Sequence, residues 1–227
     1  MKNIAVILAG GVGARVGGAV PKQLLPLADG RSVLEHSVEA FEYADCIDEV
    51  CVVMHPDYIA TAEQKITTNR WSKVKHIIHG GKERWESSVN AIRLYQDLFS
   101  AEEFSASNVL LHDAARPFVS GDIISNVCQA LLTHEAVVVA VPSTDTVYEM
   151  HDGCVARIPN RASIMRAQTP QAFRLSLIAE AYHVALNDPN MQVTDDCGVV
   201  FNYIPNQPIH IVPGNEQNRK ITFKEDI

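Results

Sequence analysis

The chain has 227 residues, of which 47% are hydrophobic, and a formal net charge of -8. That length suits a single α/β domain over 1–227 with ample core, and the acidic balance argues against nucleic acid as a partner. No run reaches the roughly eighteen apolar residues of a membrane span, so no membrane role is expected. The first residues run straight into an apolar segment with no signal-peptide layout. Cys46, Cys51, Cys128, Cys154 and Cys197 are scattered without Cys-x-x-Cys spacing, which reads as a reduced, cytoplasmic protein. The histidines show no paired zinc spacing.

Ile4-Ala5-Val6-Ile7-Leu8 reads as a buried strand, followed by Ala9-Gly10-Gly11-Val12-Gly13-Ala14-Arg15 and then Pro21-Lys22-Gln23. Glycines let the backbone approach a polyphosphate closely, and Arg15 and Lys22 supply two cations. A Walker loop is excluded, because Gly81-Lys82 is followed by Glu83. A dinucleotide fingerprint fits poorly, because Val16 stands where its third glycine belongs. What remains is a Gly-Gly-x-Gly-x-Arg loop or, alternatively, a tight turn with an incidental arginine. Pro21 counts against the second reading by stiffening the chain before Lys22.

Further along, spacing at Leu34, Val38 and Phe41 predicts a helix over 33–41, and the apolar run 50–54 a buried strand. A helix over 59–67, a strand over 74–78, a long helix over 83–99 and a strand over 108–111 follow. Asp122 is placed to cap a helix reaching 134, and 136–141 is a strand stopped by Pro142. Segment 143–161 is read as a projecting arm, with Asp152-Gly153 as its hairpin turn, and 209–212 as a last strand. The βαβα alternation predicts an α/β fold with a doubly wound, mostly parallel (Rossmann-like) sheet. Ligands gather at the carboxyl ends of such strands, so loops 9–15, 80–84 and 112–117 should line one crevice.

Each loop carries chemistry. Asp113 either holds Mg2+ beside phosphate oxygens or caps the next turn, and Arg116 is expected to pair with an acidic neighbour. Gly80-Gly81, Arg84 and Ser87 can hold a flat base against backbone and hydroxyl, or form an ordinary strand-to-helix turn. In Thr194-Asp195-Asp196 one residue is explained as a helix cap, and two adjacent carboxylates could bind metal or a hydroxylated substrate. Lys220 lies near another strand exit.

The loop at 8–23, His112-Asp113-Ala114-Ala115-Arg116-Pro117, Gln168-Thr169-Pro170-Gln171-Ala172-Phe173, Thr194-Asp195 and Lys220-Ile221-Thr222 occur in one order. Together they closely resemble the cytidylyltransferases that act on sugar-alcohol phosphates, in a branch serving isoprenoid synthesis and a branch making CDP-ribitol for wall and capsule polymers. The resemblance spans nearly the whole chain. It implies a nucleotidyltransferase using CTP, Mg2+ and a polyol phosphate. Arg15, Lys22 and Lys220 would be catalytic, and Ala9, Gly10, Gly11, Gly13, Gly80, Gly81, Arg84 and Ser87 would bind the nucleotide. Asp113 would hold the metal, and Arg161, Thr194 and Asp195 would surround the acceptor. An arm at about 143–168 would join a homodimer, Arg161 reaching the partner's acceptor, and the family's closing helix would begin about where Ile227 stands. The isoprenoid branch usually has Glu-Ala-Ser after its Thr-Asp. Here Asp196-Cys197-Gly198, with Ile158-Pro159-Asn160-Arg161 and Gly81-Lys82-Glu83-Arg84, looks closer to the ribitol branch. D-ribitol 5-phosphate is therefore slightly favoured over 2-C-methyl-D-erythritol 4-phosphate. The rival readings are a UTP- or GTP-dependent sugar nucleotidyltransferase and a non-catalytic nucleotide-binding module.

Overall fold

The computed structural model describes residues 1–11, 20–223 and 226. Among them a seven-stranded sheet forms the centre of the molecule. The first half alternates in the predicted way: β1 (Asn3–Ala9), α1 (Val33–Glu42), β2 (Glu49–Met54), α2 (Ile59–Asn69), β3 (Val74–His79), α3 (Arg84–Leu98), α4 (Ala101–Ala106) and β4 (Asn108–Asp113). Then come α5 (Gly121–Ala130), β5 (Ala136–Pro142), β6 (Glu149–His151), β7 (Cys154–Arg157), β8 (Met165–Arg174), α6 (Leu175–Ala185), α7 (Asp196–Tyr203) and β9 (His210–Pro213). The strand order is β3-β2-β1-β4-β8-β5-β9, and only β8 runs antiparallel to its neighbours.

Alternation along β1 assigns its side chains to two cores. Ala5, Ile7 and Ala9 pack with Leu34, Phe41 and Ile124 on one face, while Ile4, Val6 and Leu8 pack with Ile92, Tyr95 and Ile178 on the other. Both faces are covered, as a parallel sheet requires. Phe41 and Tyr95 are fully buried, and a large side chain so buried contributes about 1.5–3 kcal/mol. Ser32 and Glu35 form a reciprocal capping box at the start of α1.

Three expectations need correction. Ser120, not Asp122, caps α5, accepting from Ile123 N at 3.3 Å, and the helix ends at Ala130 rather than 134. Asp122 sits inside the first turn, where a carboxylate favours the positive end of the helix. The sequence pattern does not predict strand β8, because Gln168, Thr169 and Gln171 break its apolar run, yet all three are buried. Consequently the arm leaves the main sheet after Pro142 and rejoins it at Met165, whose partner is Pro142, so 165–168 belong to the sheet. The arm's hairpin is as expected: Asp152 and Gly153 adopt φ of 50° and 76°, the left-handed pair that a two-residue turn needs.

Candidate active site

The carboxyl ends of β1, β3 and β4 open onto one cavity of about 450 Å3. It is lined by Gly10, Gly11, Lys22, Gly81, Arg84, Ser87, Asp113, Thr194 and Lys220, among others. Residues from six places in the chain thus converge where the sequence placed a nucleotide. Gly13 and Arg15 lie outside the described residues.

Lys22 sits in a single 3-10 turn, Lys22–Leu24, which Pro21 enters with φ of -55°. Its Nζ donates to Ile221 O at 2.7 Å, tying the entry loop to the C-terminal segment. Gln23 is buried, and its Nε2 donates to the carbonyls of Ala9 and Gly11. These two bonds hold the glycine loop where it leaves β1. The Pro-Lys-Gln triplet held this signal, since a glutamine amide beside a glycine loop can bridge it.

The second glycine pair works by proximity. A Cβ added to Gly80 would lie 3.0 Å from Gly10 Cα and 3.1 Å from Ser87 Oγ, so two loops touch backbone to backbone there. Ser87 Oγ accepts from Gly81 N at 3.1 Å and still has its own hydrogen to donate. Gly80 and Ala9 stand behind the cavity wall rather than on it.

Asp113 is at the floor, 8% exposed. Its Oδ1 accepts from Arg84 Nε at 2.8 Å and its Oδ2 from Lys220 Nζ at 2.6 Å. Burial alone would raise the Asp113 carboxyl, but the two cations outweigh it and hold it well below the usual carboxylate range. Burial likewise disfavours the Arg84 charge, and Asp196 and Asp113 more than compensate. Behind Asp113, its N–H donates to Thr169 Oγ1 at 3.1 Å, and that hydroxyl lies 3.0 Å from His112 Nδ1. The hydroxyl therefore donates to Nδ1, which leaves the ring proton on Nε2, 3.1 Å from Arg116 O. Burial pushes the His112 imidazole down to about 4, so it is neutral near pH 7.

Lys220 is presented by a C-terminal loop with its own supports. Asn218, fully buried, donates to Gln168 Oε1 at 3.1 Å and to Thr169 O at 2.9 Å. Ile221 N donates to Ala115 O at 2.8 Å. Arg116 departs from expectation: its guanidinium donates to the carbonyls of Asn218 and Ala167, not to an acid. It too holds the loop that carries Lys220.

The Thr194-Asp195-Asp196 cluster separates into three tasks. Thr194 lines the cavity. Asp195 caps α7, accepting from Gly198 N at 2.8 Å, and its other oxygen accepts from Gln171 Nε2 at 2.7 Å. Asp196 is fully buried and accepts from Arg84 Nη1 and from Tyr182 OH. Neither Asp195 nor Asp196 lines the cavity, so the adjacent carboxylates do not form a metal pair there. Arg161 lies on the exposed arm, donating to Thr144 O at 3.3 Å, and does not line this cavity.

A strand-to-loop cleft of this build, with lysines and a paired aspartate on a mostly parallel doubly wound sheet, suits a nucleotidyltransferase. Comparison with known proteins narrows the class. The family model for IspD, 2-C-methyl-D-erythritol 4-phosphate cytidylyltransferase, matches residues 3–227, and the chain belongs to that family. It is 45% identical to the 2-C-methyl-D-erythritol 4-phosphate cytidylyltransferase of Thermobifida fusca over 98% of this chain and 89% of that protein. It is also 37% identical to the bifunctional ribulose 5-phosphate reductase/CDP-ribitol pyrophosphorylase Bcs1 of Haemophilus influenzae, over all of this chain and 47% of that longer protein. The crystal structure of 4-diphosphocytidyl-2C-methyl-D-erythritol synthase from Anaerococcus prevotii superposes with a TM-score of 0.84 at 28% identity, covering 99% of this chain and 92% of that one.

Proposed function

We propose that the chain transfers CMP from CTP to a sugar-alcohol phosphate, releasing pyrophosphate. The observation that carries this reading is the convergence of Lys22, Arg84, Asp113 and Lys220 on one cavity. The nucleophile would be an oxygen of the acceptor's phosphate monoester, already ionised near pH 7. It forms a bond to the α-phosphorus of CTP while the bond from that phosphorus to the bridging oxygen of pyrophosphate breaks. No dedicated base is required. The barrier is charge repulsion and alignment, which fixed cations around a preformed cavity address. Lys22 and Lys220 would bear on the triphosphate, with Arg15 added from the glycine loop. Ser87 and the Gly80-Gly81 backbone would read the cytosine edge. Thr194 and Asp195 would border the acceptor.

Among the described residues no three His, Cys, Asp or Glu side chains cluster to cage a metal. Asp113 nevertheless lines the cavity, and with one hydrogen bond on each oxygen it keeps acceptor capacity for Mg2+ as a lone protein ligand, an ion commonly held by one or two carboxylates plus substrate phosphates. Asp113 would hold it, and the ion when bound would neutralise triphosphate charge.

The arm supports assembly as a homodimer. Tyr148, Met150, Val155 and Ile158 are each more than half exposed, an apolar strip that one chain leaves uncovered. Arg161 lies beside it and would reach the partner's acceptor. The five free cysteines support a reduced compartment, the cytoplasm, and no helix among the described residues is long and apolar enough to cross a membrane.

For the acceptor, D-ribitol 5-phosphate is slightly favoured by Asp196-Cys197-Gly198, while 2-C-methyl-D-erythritol 4-phosphate is favoured by the 45% identity to the Thermobifida protein. The test is pyrophosphate release with each of the four NTPs against each polyol phosphate. Release with CTP and one acceptor is expected. Equal release with UTP or GTP would favour another sugar nucleotidyltransferase, and no release with any pair would favour a binding module.

A further inference from the structure

Asp196 is fully buried and does not line the cavity, yet it is bonded to a residue that does. We propose that Asp196 is a positioning residue that, through Arg84, sets the Asp113–Lys220 pair at the cleft floor. This rests on the cytidylyl-transfer reading of that cleft.

The carboxylate is held through both oxygens. Tyr182 OH, from α6, donates to Oδ1 at 2.6 Å, and Arg84 Nη1, from α3, donates to Oδ2 at 2.5 Å. Gln171 on β8 then braces both chain neighbours, donating to Asp195 Oδ2 and accepting from Cys197 N at 3.0 Å. A guanidinium is a rigid planar fork, so fixing Nη1 also fixes Nε. Nε lies 2.8 Å from Asp113 Oδ1, which leaves Asp113 Oδ2 to face Lys220 Nζ at 2.6 Å. Charges therefore alternate from Asp196 through Arg84 and Asp113 to Lys220, and only the last is well exposed to the cleft, its side chain 37% accessible.

The chain of charges has a consequence that packing alone lacks. Neutralising Asp196 leaves Arg84 with one anionic partner, Asp113. Arg84 then draws Asp113 toward itself and loosens Lys220, while the cleft as a whole gains one unit of positive charge. Turnover should fall although affinity for an anionic nucleotide holds or improves. A purely structural role would reduce the folded fraction and leave both quantities unchanged per folded molecule.

The experiment uses the full chain with Asp196→Asn, which keeps shape and removes charge, and Tyr182→Phe, which removes only the hydroxyl. Turnover is measured with CTP and whichever polyol phosphate the wild type uses, CTP binding by calorimetry, and folding by thermal melts. Asp196→Asn is expected to lower kcat by as much as about 10²-fold, the scale of a small misplacement in an aligned site, with the CTP Kd unchanged or lower. Tyr182→Phe should lose about tenfold in kcat with the same pattern, and it carries the test if Asp196→Asn does not fold. A crystal structure of the variant should show Lys220 Nζ released from Asp113. Wild-type kcat in a folded variant, a weaker CTP Kd, or both Asp113 contacts retained would overturn the proposal. Inactive wild-type protein would count against the transfer reading instead, and the structure and calorimetry would still decide the role of Asp196.

Discussion

The cleft and the arm are built on opposite plans. In the cleft the central charges are answered within the chain: Asp113 by Arg84 and Lys220, Arg84 by Asp196, and Lys22 by Ile221 O. In the arm, β6 and β7 are exposed at every residue, and Met150 faces Val155 across the hairpin with nothing of their own chain above them. A two-stranded hairpin is marginal alone in water. The contrast teaches that the charge network of the cleft is preorganised by one chain, whereas the arm has an apolar face suited to a second copy.

Four results would break or sharpen that contrast. The largest effect is expected from Lys22→Ala, which should lower turnover by about 10²–10³-fold without unfolding the protein or changing its oligomeric state. Near-normal turnover of the folded variant would reject the role of Lys22. Next, pairing Met150→Asp with Val155→Asp should convert a dimer to a monomer in light scattering while leaving the melting transition of the main body in place. A variant that stays dimeric would remove the arm from the interface.

The third concerns His112, whose imidazole is held at about 4 against an ordinary 6.5 by burial. The unfolded chain takes up a proton below about pH 6.5 that the folded one refuses until about pH 4, so stability present above that window is lost as pH falls through it. The loss amounts to roughly 3 kcal/mol, and His112→Gln should flatten this part of the pH dependence of the urea midpoint. An unchanged slope would show that the acid limb arises elsewhere. Glu35 is a second source, at lower pH: burial would raise its carboxyl, but Lys65, Ser32 and Asn69 together bring it to about 2. The smallest effect is expected for Ser87→Ala, which should raise the CTP KM by about five- to tenfold with little change in kcat, as loss of one uniform hydrogen bond does.

Much of this was legible in the sequence for identifiable reasons. β1 and β2 each become an unbroken apolar run after one polar residue, Asn3 and Glu49, and Asp152-Gly153 can hardly be anything but a tight turn. Asp113 closes β4 and Lys220 lies in the segment that follows β9, at the strand ends where a doubly wound sheet gathers its ligands. What could not be read was polar and tertiary. Gln168 and Gln171 look wrong for a buried strand until Asn215, Asn218 and Asp195 are seen to take up their amides. The resemblance gives Arg84 to the nucleotide, and only the fold brings Asp196 within reach of it across 112 residues of sequence. Local patterning cannot encode such a pairing, because nothing near either residue demands it.

The central claim is that one cavity holds the triphosphate among the cleft lysines and Asp113. A crystal structure of the full chain grown with CTP and Mg2+ tests it most directly. The phosphates should lie within hydrogen-bond reach of Lys22 or Lys220, with the base against Gly81 and Ser87. A nucleotide seated instead in the neighbouring cavity beside Trp85 and Arg93, with Lys22 and Lys220 untouched, would contradict it.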